Sequence, residues 1–215
     1  MDANYFLSFR LDFIKNFYEV SSKPFEQLKF DIENGVTPYE PPYAEDGEPP
    51  FELLWNQAND SLTLLGGACI SMLGGSLHVF LDTLVKLHGD EEAFKKTKSE
   101  NGWWGKHQNY FKNAGNIDFK DSGCDMVLLE EIILARNRVQ HPDNLTGTNA
   151  NYLAKDLEKV PSPFFVNETE SEILNRLGDS DGGWLVSPTV YVDLAKLTKA
   201  IDEVRKLGKW LDQLP

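Results

Sequence analysis

The sequence predicts an all-α fold, a helical bundle with a long central helix and a minor β-hairpin decoration. Apolar residues recur at steps of three and four over most of the chain, the period of one helix face. The longest such series, Ala58, Leu62, Leu65, Cys69, Leu73, Leu77, Phe80, Leu84 and Leu87, is too long for a strand. Only two short apolar runs, 164–166 and 184–186, lack that period, and they read as the two arms of one small hairpin. At 215 residues, 41% hydrophobic and 26% charged, the chain has enough apolar side chains for a sizeable core and reads as a single helical domain over 1–215.

The first helical pattern covers 5–33, with Phe6, Phe9, Phe13, Phe17 and Val20 as its apolar stripe, and Pro24 is expected to break it into two helices. Residues 34–50, rich in proline, form an extended connection. The long helix follows, with Asn56, Asn59 and Asp60 as its caps. No charge occurs between Asp60 and Asp82, which raises a membrane-spanning reading. Four glycines, Ser61, Thr63, Ser71, Ser76 and His78 in that stretch, and no basic flank near its first end, favour a buried central helix without membrane contact. Gly67, Ser71 and Gly75, four apart, suit the close approach of a second helix. Residues 89–122 are a lysine- and aromatic-rich insertion whose centre, 94–112, reads as a loop. Asp121 or Ser122 then caps a strongly apolar helix over 124–141, with Leu128, Ile132, Ala135 and Val139 inward and Pro142 as its stop. Short helices near 149–159 and 168–177 flank an irregular, hairpin-bearing segment over 160–188. An amphipathic helix closes the chain with Val190, Leu194, Leu197, Ile201, Val204 and Leu211 on one face.

Charge narrows the function classes. The formal net charge is -13, unlike a protein coated in phosphate contacts. Only 94–112 departs from this, with Lys95, Lys96, Lys98, Lys106 and Lys112 interleaved with Trp103, Trp104 and other aromatics, so it is the surface expected to meet an anionic partner. The two cysteines show neither disulfide nor zinc-ligand spacing, and no basic leader followed by an apolar run opens the chain. Both point to a reducing, cytoplasmic setting. Walker, GxGxxG, GxSxG, HExxH and EF-hand signatures are missing. The four histidines, His78, His88, His107 and His141, include no pair at helical ligand spacing, so neither metal nor other cofactor is expected. His78 reads as a core or interface histidine and His88 as a helix-terminal one. His107, beside lysines and tryptophans, is expected near substrate. Trp103 and Trp104 read as anchors of the loop or as base-stacking platforms.

His141 stands apart. In ARNRVQHPD it ends an apolar helix, where the helix dipole favours positive charge, with Arg136 five positions earlier. Asn137 and His141 share a face at i, i+4, so the amide can hydrogen-bond the imidazole and fix its tautomer. A guanidinium for phosphate beside an acid/base group is what cleavage by an RNA 2′-hydroxyl needs, and it needs no metal. The same two residues also close a helix C-terminus without any catalysis.

The Arg136, Asn137 and His141 arrangement near the end of a late helix resembles the motif of the HEPN superfamily (higher eukaryotes and prokaryotes nucleotide-binding domain). The resemblance covers the long helix from about 53 to 88, the motif helix 124–141 and the closing helix 190–213. It implies a helical bundle, a homodimer whose two motifs converge on one composite site, and metal-independent ribonuclease activity. Arg136, Asn137 and His141 are then catalytic. Lys95, Lys96, Lys98, Trp103, Trp104, Lys106, His107 and Arg138 are the expected substrate contacts. Toxin–antitoxin and other defence roles, with an antitoxin or regulatory protein as partner, are common in that superfamily. The proline loop, the insertion and the tail depart from its compact pattern. The alternative is a catalytically silent HEPN-like module that binds a nucleotide or a protein.

Overall fold

The computed structural model describes residues 1–40, 50–98, 102–141, 149–177 and 187–213. Eight α-helices occur among them: α1 (Ala3–Glu33), α2 (Glu52–His88), α3 (Glu91–Lys96), α4 (Gly102–Gly115), α5 (Met126–Gln140), α6 (Ala154–Leu157), α7 (Glu168–Leu177) and α8 (Leu194–Asp212). The described part is all-α and contains no strand. One antiparallel bridge, Asn151 to Thr189, is its nearest approach to a sheet. Of the expected hairpin, 184–186 lies outside the described residues. Its partner segment binds elsewhere, since the Phe164 and Phe165 N–H groups donate to the Glu131 carboxylate at 2.9 and 2.8 Å.

Helix α2 is the axis of the bundle. Helices α1, α5 and α8 pack around it, while α3 and α4 touch its C-terminal part. Its predicted stripe is buried at Ala58, Leu65, Cys69, Leu73, Leu77, Phe80 and Leu84. Each wholly buried leucine here contributes about 1.5–3 kcal/mol relative to an exposed one. This helix is long and apolar enough to cross a membrane, yet 61% of its most apolar window is buried inside the bundle. Asn56, Asn59 and Asp60 lie inside α2 and do not cap it, because the helix starts at Glu52. Asn59 instead accepts from Lys29 Nζ of α1 at 2.8 Å.

Helix α1 differs from expectation twice. It runs unbroken through Pro24, which sits exposed, so water can serve the carbonyl that proline leaves without a donor. Its buried face is Leu7, Leu11, Ile14 and Tyr18, whereas Phe6, Phe9, Phe13 and Phe17 face solvent. The buried face packs on α2 and α8, and the approach to α8 is close at Leu7, whose Cδ2 would stand 2.7 Å from a Cβ built on Gly208.

The described part of the lysine- and aromatic-rich centre of the insertion is largely helical, in α3 and α4. Trp104, His107 and Tyr110 point inward from α4 at three-residue steps, and the Tyr110 hydroxyl accepts from the Asp90 N–H at 2.6 Å. Asp118 caps a 3-10 turn over Phe119–Ser122, so the cap of α5 is neither Asp121 nor Ser122. It is Asp125, which accepts from Leu128 N–H at 3.0 Å. Two buried carboxylates then fasten the tail to α5. Glu131 takes the Tyr152 hydroxyl at 2.9 Å besides the two N–H groups above, and Asp156 takes Arg138 at 2.6 Å.

Candidate functional site

Two glycines and a serine on α2 fix where α5 lies. Added Cβ atoms at Gly67 and Gly74 would stand 3.3 Å from Val139 Cγ2 and 2.8 Å from Arg136 Cδ. Gln140 Nε2 donates to Ser71 Oγ at 2.8 Å. Helix α5 therefore runs antiparallel to α2, and its C-terminal end, with His141, points toward the N-terminal half of α2. Gly66 takes no part in that contact; it makes room for the carbonyl of Val192.

Arg136 is half-buried, its aliphatic stem resting on Gly74. Its Nη1 donates to Asn137 Oδ1 at 3.0 Å, and its Nε is buried with no hydrogen-bond partner. Asn137 thus orients the arginine and not the histidine, contrary to the expected i, i+4 amide–imidazole bond. His141 caps α5, its backbone N–H bonded to the Asn137 carbonyl at 3.0 Å, and its side chain is exposed. The three motif residues occupy the C-terminal end of α5, with the Asn137 amide turned to Arg136.

A second group of imidazoles lies on the other side of Arg136. His78, one turn after Gly74, has Nε2 3.6 Å from Asp82 Oδ2, and His107 of α4 has Nε2 3.0 Å from Asp82 Oδ1. His107 Nδ1 meets the Trp103 carbonyl at 2.8 Å. The Trp103 ring stacks on His78 with centroids 4.1 Å apart and planes 18° from parallel. Burial, with His107 and Arg136 nearby, holds His78 below the ordinary histidine pKa against the pull of Asp82. Burial lowers His107 likewise, against the Trp103 carbonyl and Asp82. These three side chains can hold a metal ion. The sequence reading missed them because it weighed histidine pairs alone. The available signal was the mixed pair His78 and Asp82 at i, i+4; the third member comes from another helix.

The expected substrate contacts separate into two sets. Lys95, Lys96 and Lys98 are exposed, on or just beyond α3, with Lys95 paired to Glu92 at 2.7 Å. Lys106 lies over the Phe94 ring at 4.5 Å, and Trp103 is half-buried on His78. Trp104 and His107 are interior side chains at 3% and 1% exposure, because α4 is a helix with its aromatic face turned to the core. Arg138 is held by Asp156. Compared with known proteins, the chain matches no protein-family model, no curated protein and no solved structure.

Proposed function

We propose that the chain is a metal-independent endoribonuclease of the HEPN kind, acting as a homodimer. The observation that carries this reading is Arg136. Its stem is seated on Gly74 and one end of its guanidinium is bonded to Asn137. It lies five residues before an exposed His141. A guanidinium held this way offers directed donors to a phosphate at little entropic cost. His141 then takes the proton of the 2′-hydroxyl as its oxygen attacks phosphorus, and the 5′-oxygen leaves with a proton from an acid. Products carry a 2′,3′-cyclic phosphate and a 5′-hydroxyl. The resemblance supplies the setting: a cytoplasmic toxin or defence effector, held in check by an antitoxin or regulatory protein.

One protomer provides a single motif histidine for a reaction that uses a base and an acid. A two-fold axis beside α5 supplies the second. The surface supporting that axis is a strip of α2 with Leu64, Ala68, Met72 and Val79 exposed and Gly75 half-buried, steps of four and three on one face. A Cβ at Gly75 meets nothing within 4 Å. The strip adjoins the outward phenylalanines of α1, since Phe6, Phe9 and Val79 line one cleft of about 380 Å³.

The test is cleavage of RNA in EDTA by wild type, Arg136→Ala, His141→Ala and the two variants refolded together. Wild-type cleavage, loss in each variant and partial recovery in the mixture are expected. Unchanged cleavage by His141→Ala removes that residue from the mechanism. A folded wild type that binds RNA or nucleotide without cleaving supports the silent module instead, a reading favoured by the charge of -13 and by the commitment of Arg138 to Asp156.

A further inference from the structure

We propose that His78, Asp82 and His107 form a site for a divalent transition-metal ion of the zinc class, which clips α4 to the C-terminal half of α2. The ligand atoms, one from each residue, lie within 4.8 Å of one another; Nε2 of His107 is 3.0 Å from one Asp82 oxygen and Nε2 of His78 is 3.6 Å from the other. Zinc bonds of about 2.0–2.1 Å place neighbouring tetrahedral ligands roughly 3.3 Å apart, so small side-chain shifts close the set around an ion.

The hydrogen bonding of His107 supplies an independent argument. A carbonyl only accepts, so the contact with Trp103 places a proton on Nδ1 of His107. In a neutral ring Nε2 then carries a lone pair, and that lone pair faces a carboxylate oxygen at 3.0 Å. Two acceptors at that distance need a positive centre between them. That centre is either a proton, shared with Asp82 at 3.0 Å, or a metal ion. A metal ion satisfies both atoms, and an Nδ1–H donated to a backbone carbonyl is how metal-bound histidines are ordinarily oriented. Stacking on Trp103 holds the His78 ring in place as well. Two imidazoles and one carboxylate suit zinc, cobalt or nickel better than magnesium or calcium, which take oxygen. His78 and Asp82 are 32% and 38% exposed, so the outer side of the ion would face water, which is available as a fourth ligand.

The inference stands apart from the ribonuclease reading, and its test involves no RNA. The full chain, stripped with EDTA and then freed of chelator, is titrated with cobalt(II) chloride while its visible ligand-field absorption is recorded. One cobalt per chain, displaced by zinc, is expected, with binding weakened tenfold or more in His78→Ala and in Asp82→Asn, as loss of a ligand should exceed the ~10–100-fold effect of losing a second-layer partner. His88→Ala, away from the cluster, should bind as wild type. Circular dichroism shows whether each variant is folded. No ligand-field band from the folded wild type, or a band of equal affinity in folded His78→Ala and Asp82→Asn, overturns the proposal and leaves a proton between His107 and Asp82.

Discussion

Alanine substitutions at two glycines of α2 should move stability in opposite directions. At Gly75 a new Cβ meets nothing of its own chain within 4 Å, so, measured at a concentration that keeps the chain monomeric, Gly75→Ala changes little but backbone freedom and should stabilise by about 1 kcal/mol. For a chain of this size that raises Tm by roughly 2–4 °C. At Gly66 the same Cβ would stand 2.2 Å from the carbonyl oxygen of Val192 and 3.1 Å from its carbonyl carbon. That backbone is pinned on both sides: Tyr191 N–H donates to the Phe165 carbonyl at 2.9 Å, and Asp193 caps α8. Overpacking against fixed backbone costs about 1–3 kcal/mol or more, which exceeds the propensity gain over most of that range. A net loss of roughly 1–2 kcal/mol is expected for Gly66→Ala by combining the two effects. Urea and thermal unfolding, followed by circular dichroism at one protein concentration, measure both. Equal shifts of the same sign would refute the assignment of Gly66 as a contact glycine and Gly75 as a free one.

Glu131→Ala strands the Tyr152 hydroxyl and the Phe164 and Phe165 N–H groups; at about 1–3 kcal/mol per stranded group it should lower stability by roughly 3 kcal/mol or more in urea unfolding, with Glu131→Gln intermediate. Cys69 is 0% exposed and burial pushes its thiol up to about 11, so in folded Cys124→Ser an aromatic disulfide reagent should label Cys69 only as fast as the chain unfolds; rapid labelling at pH 8 argues against a sealed core. Neutralising Lys95, Lys96 and Lys98 should weaken RNA binding and flatten its dependence on salt if α3 faces the substrate; a filter-binding series across salt concentrations that is unchanged places RNA elsewhere.

What was legible in the sequence was what a single helix decides for itself. Most of the α2 stripe, the inward Leu128, Ile132 and Ala135 of α5, and Leu197, Ile201, Val204 and Leu211 of the closing helix follow from apolar spacing and are buried, whereas Leu62 and Leu194 are half-buried, Leu87 is exposed and Val190 precedes α8. Helix α1 offered two stripes of equal regularity, Phe6 to Phe17 and Leu7 to Tyr18. The choice between them is made by packing against α2 and α8, elements distant in the chain, which no local pattern records. Likewise α4 looks like a loop because Gly102, Gly105, Asn109 and Asn113 lower its helix propensity. Burial of Trp104, His107 and Tyr110 overrides that cost. At the motif the residue types and the helix end were readable, whereas the direction of the Asn137 amide was not. That direction depends on Arg136 being pressed down by Gly74, a contact between two helices.

The same contact explains why a helix of 37 residues tolerates two Gly–Gly pairs. Each glycine weakens α2 by about 1 kcal/mol relative to alanine, but Gly66, Gly67 and Gly74 each admit a different neighbour, Val192, Val139 and Arg136. The packing gained by α5 and by the segment before α8 offsets that weakness. For Arg136 the consequence is chemical. Its stem is covered, so few rotamers remain to be lost when its head grips an anion. It stands between two imidazole groups that the fold keeps apart, exposed His141 toward the N-terminal half of α2 and the His78–His107 pair toward α4. On a chain with a net charge of -13, an arginine without a carboxylate partner among the described residues is a local inversion of the field, and an anion that approaches this face is drawn to that point.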